Sequence, residues 1–193
     1  MTDYAALGQL DFDESWMTRK EGVSKVNDAL FATKNILDRI GGGSVLDAGC
    51  FNGYLYNWLS ECCNVPFKYT GIDINPEAIE YAKNFNHGVR YEERDLFSLS
   101  GEKYDVVCCF RVLIHIDEWE AALAALVTVA KIAVVLVVRI EDKDVDRYHE
   151  DILHRAFSMK TIKTAAENLG CRVDVKKTTR QNYQPIVLYV GSE

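Results

Sequence analysis

The sequence predicts an α/β domain built on a doubly wound, mostly parallel sheet of seven strands, the last of them antiparallel. Three observations carry this. Apolar runs and helical-period segments alternate in β-then-α order, five times in succession. The apolar runs are continuous, as strands covered on both faces require. The last two runs, "CRVDVKK" and "IVLYVG", are joined only by "TTRQNYQP". That connection is too short for the crossover a parallel pair needs, so the pair must be antiparallel.

The elements follow in order. "SKVNDALFATKNILDRI" (24–40) sets Val26, Leu30, Leu37 and Ile40 on one helical face, with Ser24 as N-cap and "GGG" as the stop. "SVLDAG" is the first strand and ends in Asp47; "YLYNWLSECC" is the helix that follows, beginning near Gly53. "KYTGIDI" is the second strand, ending in Asp73, and Asn75-Pro76 opens the helix "PEAIEYAKNF". "VRYEERDL" is the third strand, with Asp95 at its end, and "YDVVCCF" the fourth. Asp117 and Glu120 have the spacing of a capping box ahead of "EWEAALAALVTVA". "IAVVLVVRI" is the fifth strand, and 143–170 reads as two helical pieces, the second closed by Gly170.

Length and composition agree with one domain over 1–193, with an N-terminal helical or lid segment (1–43) and a core (44–193). Hydrophobic residues make up 48% and charged residues 26%, as in ordinary soluble domains. The start lacks a basic region followed by an apolar one, so no signal peptide is expected. "AALAALVTVAKIAVVLVV" (121–138) is long enough to span a bilayer. Its Ala/Leu-rich half, however, gives way to a Val/Ile-rich half at Lys131, which reads as a helix leading into a buried strand and not as a membrane span. The six cysteines form no C-x-x-C and fall mostly in apolar runs, which suits a reducing cytoplasmic setting. A net charge of −7 argues against a broad nucleic-acid surface.

The functional reading turns on "VLDAGCFNGYL" (45–55). A dinucleotide loop needs glycines where pyrophosphate meets the helix N-terminus. In that register this chain offers Gly49, Phe51 and Tyr54, and Asp47 beside the loop would repel phosphate. An aminoacyl ligand carrying an ammonium group would find Asp47 useful. Asp73 can accept both hydroxyls of a ribose, and Asp95 a hydrogen bond from an adenine amine. Ammonium, ribose and adenine together describe S-adenosylmethionine (SAM).

With "VLDAGCFNG", "GIDINPEAIEYAKN", "YEERDLF" and "YDVVCCFRVLIHID" in this order, the chain over roughly 44–190 resembles the class I SAM-dependent methyltransferases, which are Rossmann-like. The resemblance implies that Gly49, Cys50, Asn52 and Gly53 line the methionine moiety and that Asp73 holds the ribose. It also implies that Asp95 and Leu96 meet the adenine, with Ile74 and Phe110 completing the cofactor pocket. Phe51 stands where the family has its middle glycine; SAM carries no pyrophosphate, so a side chain there is tolerable if it points away or covers the ligand. "DESWMTR" resembles the N-terminal segment that closes over the cofactor in many relatives, where Trp16 could cover the site and Arg19 meet the SAM carboxylate. An amphipathic tail is the other reading of it.

His115 in "RVLIHID" stands where many family members carry histidine. It is either a general base or a packed histidine shaping the pocket, and the second reading is preferred because methyl transfer depends chiefly on positioning. Arg111 and Arg139, at the ends of the fourth and fifth strands, suit a carboxylate or phosphate substrate. The alternative pairs Arg139 with Glu141 or Asp142, and Arg111 with Asp117. "HEDILH" and "DKDVD" imitate metal motifs, but their spacing and missing ligands make them solvated helix surface, so no metal is expected. The expected function is methyl transfer from SAM to a small, anionic acceptor, with S-adenosylhomocysteine (SAH) as product. RNA or tRNA methylation, a noncatalytic SAM-binding partner subunit and an NAD-dependent oxidoreductase are the rivals, in that order.

Overall fold

A computed structural model describes residues 26–149, 151–176, 178 and 182–191. Helix α1 (Asn27–Ile40) buries Ala29, Leu30, Thr33, Ile36 and Leu37, and it stops at Gly41, whose φ of +76° a side chain would resist. Ile40, expected on the buried face, is exposed, and Ser24 lies outside the described residues. Strand β1 (Gly43–Ala48) leads to α2 (Tyr54–Cys62), β2 (Phe67–Asp73) to α3 (Pro76–Phe85), and β3 (Arg90–Glu93) to a 3-10 turn at Leu96–Ser98. Strand β4 (Tyr104–Phe110) runs into a second 3-10 turn (Leu113–His115), then α4 (Trp119–Val129) and β5 (Ala130–Glu141).

Strands β3, β2, β1, β4 and β5 lie side by side, all parallel. After them come β8 (Arg172–Val175) and β9 (Tyr183–Tyr189), with β9 antiparallel to β5 and β8 antiparallel to β9. The reversed ending argued from the short connection is therefore present. Alternation along β4 explains the double burial. Val106 and Cys108 face one core with Leu30, Leu37 and Leu59, while Val107 and Cys109 face another with Leu123, Leu126 and Ile162. All six cysteines are free.

The sheet has nine strands, not seven. The first of the two helical pieces expected over 143–170 is instead a hairpin of β6 (Val145–His149) and β7 (Ile152–Ser158); helix α5 (Met159–Asn168) is the second piece. β5 overshoots the sheet, and its last residues pair with β7 through Ile140 with Phe157 and Glu141 with Ser158. That tertiary pairing outweighs the local helical composition, and Asp151 supplies the turn with φ +64°. "HEDILH" and "DKDVD" accordingly contribute to a hairpin rather than to helix surface. Helix α4 starts after Glu118, one residue beyond Asp117, and Glu118 makes no side-chain cap. Strand β3 ends at Glu93, short of Asp95.

The apolar stretch 121–138 divides where α4 gives way to β5, and Lys131 reaches Asp105 at 3.1 Å. Among the described residues no helix is long and apolar enough to cross a membrane.

Candidate cofactor and acceptor site

The carboxyl ends of β1, β2 and β4 meet around the loop 49–53, the crevice at which open α/β sheets take ligands. The loop is built from backbone bonds. Gly49 and Cys50 N–H both donate to the Ile72 carbonyl at 2.8 and 3.0 Å, and Gly53 N–H donates to the Cys50 carbonyl at 2.9 Å. Gly49 and Gly53 have φ near +80°. A Cβ on Gly49 would collide with Val112, and one on Gly53 with the Tyr91 hydroxyl. Both glycines are therefore required twice over, by conformation and by close approach.

Phe51 is left-handed as well, with φ +48°. This explains why a glycine would sit comfortably at the middle place: the demand is conformational and does not depend on phosphate. Its N–H donates to Asp73 Oδ2 at 2.9 Å, while Asn75 N–H donates to Asp73 Oδ1 at 3.0 Å. Asp73 thus closes the loop onto β2. Burial raises its pKa, and the backbone donors from Asn75, Phe51 and Ile74 oppose that rise.

Asp47 lies behind the loop, 3% exposed, and accepts a hydrogen bond from the Tyr69 hydroxyl at 2.6 Å. Burial pushes it up to about 7, with the Tyr69 bond opposing and Asp73 adding to the rise. Asp47 therefore stands behind the loop it supports, with its carboxylate engaged by Tyr69. Asp95 is exposed and accepts from Phe97 N–H at 2.9 Å, capping the 3-10 turn, while Leu96 beside it is buried.

The rim beyond Phe110 is cationic. Arg111 is left-handed (φ +65°), its N–H donates to the Val137 carbonyl at 2.8 Å, and its guanidinium lies 5.0 Å above the Tyr183 ring. Arg111 Nε is buried without a hydrogen-bond partner among the described residues. Arg139 turns to Glu141 with contacts of 3.0 and 2.9 Å, and Arg147 holds the same carboxylate at 2.7 Å. The pairing alternative holds for Arg139. Arg111 has no carboxylate within ion-pair distance among the described residues.

His115 sits just beyond, its Nδ1 2.6 Å from the Leu153 carbonyl and its ring edge-on to His154 at 4.8 Å. A carbonyl can only accept, so Nδ1 carries the proton. Burial pushes His115 down to about 4 against the Leu153 bond, helped by His154 and Arg111. His154 is lowered too, first by burial and then by His149, Arg111 and Arg139.

A family model described as "Methyltransferase domain" matches residues 23–174. The chain belongs to that family. No curated protein matches it. Among solved structures it resembles the 1,6-didemethyltoxoflavin-N1-methyltransferase of Burkholderia thailandensis, bound to 1,6-didemethyltoxoflavin and SAH, at 20% identity and TM-score 0.74 over 98% of this chain and 89% of that one. It also resembles the magnesium protoporphyrin IX methyltransferase of Synechocystis PCC 6803 with bound SAM, at 21% identity and TM-score 0.68 over 88% and 80%. A sugar N-methyltransferase from Streptoalloteichus matches at 13% identity and TM-score 0.68 over 90% and 89%. These likenesses establish the fold.

Within this methyltransferase domain, Gly49, Cys50, Asn52, Gly53, Asp73 and Ile74 fall on one loop and the adjoining strand end. Trp16 and Arg19 lie outside the described residues. Sequence reasoning missed Tyr183 and His154. Tyr183 stands in what reads as a loop, and His154 in what reads as a helix; the alternation in "ILHRAF" was the available signal.

Proposed function

We propose that this domain transfers a methyl group from SAM to a small anionic acceptor. The donor set fits SAM. The Asp73 oxygens accept from the Phe51 and Asn75 amides and retain lone-pair capacity for a ribose hydroxyl. Two carboxylates beside the loop, Asp47 and Asp73, disfavour a pyrophosphate. Leu96 offers an apolar edge for adenine, with Asp95 at its margin, and Ile74 and Phe110 flank the same crevice. When bound, SAM supplies a methyl group made electrophilic by its sulfonium.

The observation that carries the acceptor reading is Arg111. It holds a backbone conformation that costs a non-glycine residue about 1–2 kcal/mol. Its Nε is buried and unpartnered, and the next residue, Val112, abuts Gly49 of the loop. Strain of this kind persists where the surroundings enforce it, and it clusters at functional sites. Arg139, already tied to Glu141, adds positive field and no free fork. His115 shapes the pocket as a neutral imidazole and is a poor base at neutral pH.

The test is calorimetric titration with SAM, followed by methyl transfer from labelled SAM into a small-molecule extract. Arg111→Met should leave SAM affinity within about threefold, under the roughly 1.4 kcal/mol of a tenfold change. Transfer should fall at least roughly tenfold with loss of the charged fork. Equal transfer by the variant removes the anionic acceptor.

A further inference from the structure

We infer that the methyl group goes to the acceptor's own anionic oxygen, a carboxylate held on Arg111, so that the product is a neutral methyl ester. This rests on the reading of the domain as a SAM-dependent methyltransferase and adds the acceptor atom to it.

Charge on the rim comes first. Arg139 and Arg147 share Glu141, Arg155 engages Asp146, and Ser158 and Thr161 engage Asp144. Arg111 is the guanidinium of this group left without a carboxylate among the described residues. It is pinned over Tyr183 with Nε turned away from water. One fixed, planar, unneutralised fork suits a monoanion with two coplanar oxygens better than a dianion.

Proton handling comes second. A neutral phenol, alcohol or ammonium acceptor must give up a proton as it is methylated. The groups facing Arg111 are His115, His154 and Tyr183, with Arg139 and His149 acting on His154. His115 is fixed by the Leu153 carbonyl, and burial beside cations lowers the basicity of both histidines. The hairpin, through Leu153 and His154, thus walls a site whose positive field comes from Arg111 and Arg139 and whose histidines have lowered basicity. A carboxylic acid, with an ordinary pKa near 4, arrives already ionised. It needs positioning and no base.

The step balances. A carboxylate oxygen lone pair forms the C–O bond as the methyl–sulfur bond breaks, and that bond's electron pair stays on sulfur. Carboxylate and sulfonium become a neutral ester and a neutral thioether, and no proton is released. The ester has lost the charge that held it to Arg111, which favours its departure.

The experiment uses the full chain, methyl-labelled SAM and an ultrafiltered small-molecule extract of cells. Products are treated with mild alkali, which frees the methyl group of an ester as volatile methanol but leaves N-, S- and ether-linked methyl groups in place. Labelled methanol is expected, with at least roughly tenfold less from Arg111→Met and partial recovery in Arg111→Lys. Label that stays alkali-stable overturns the carboxylate assignment while leaving the methyltransferase reading intact. Failure to bind SAM, or binding without any transfer, overturns that underlying reading instead. A weakly buffered assay gives an independent check: one proton released per methyl transferred also overturns the inference.

Discussion

The Phe51 amide donates to the Asp73 carboxylate across 2.9 Å, tying the left-handed centre of the loop to the end of the second strand. The sequence marks Phe51 as an oddity, and the geometry gives the reason: its backbone occupies a region that a Cβ resists. Phe51→Ala and Phe51→Gly both remove the ring, but only glycine also removes the conformational penalty. The glycine variant should therefore be more stable than the alanine variant by about 1 kcal/mol in denaturant unfolding. Equal stability would mean that the left-handed conformation carries no penalty here.

Asp73 serves the loop as well as any ligand, so its removal should not leave the fold untouched. Asp73→Ala strands the amides of Phe51 and Asn75, at about 1–3 kcal/mol for a buried donor left unmet. SAM affinity should fall by roughly 10- to 150-fold, from lost charge-assisted bonds and a loosened loop. Asp73→Asn keeps one carbonyl acceptor and should lose less stability, while still binding SAM more weakly. Wild-type affinity in both variants would remove the ribose assignment.

The core of the site was legible because its signals are local. Asp47 and Asp73 near their strand ends, the Gly49 and Gly53 turns and the Asn75-Pro76 helix start each follow from residue chemistry within a few positions. The hairpin was not legible. Val145–Ser158 forms strands only because β5 extends far enough to pair with Phe157 and Ser158, and nothing within the segment records that partner. The same blindness hid His154 and Tyr183. Their places near Arg111 come from sheet register, Tyr183 opposite Arg139 and His154 opposite Arg147. Asp47 shows the limit in another way: the sequence places it near a strand end, but its hydrogen bond from Tyr69 depends on the register of β1 against β2.

His115 should make no ionisation limb near 6.5 in the pH dependence of turnover, since burial pushes it down to about 4. It should appear in stability instead. Between the unfolded value near 6.5 and about 4, the unfolded chain binds a proton that the folded chain refuses. Stability is therefore full above 6.5 and lost as pH falls toward 4, by up to about 3 kcal/mol. His115→Gln should remove that contribution, so that in urea unfolding its stability falls with rising pH relative to the wild type across this window; a profile parallel to the wild type's would place the titration elsewhere.

Asp47 has the opposite sign. Its folded value, raised by burial to about 7, exceeds the unfolded one near 3.9, so the folded chain holds the extra proton between them. Its contribution is full below the unfolded value and is lost as pH rises through 7. From pH 4.5 to 6.5 the two groups oppose each other at about 1.4 kcal/mol per pH unit each, and on their account the wild-type profile should be nearly level. Asp47→Asn keeps an oxygen for the Tyr69 hydroxyl but cannot ionise. Of the two, only the rising His115 limb then remains, and its contribution should climb with pH across that window by about 2–3 kcal/mol. A wild-type profile that climbs as steeply as that of Asp47→Asn, measured by urea unfolding at matched ionic strength, would show that Asp47 is ionised throughout and adds no opposing limb.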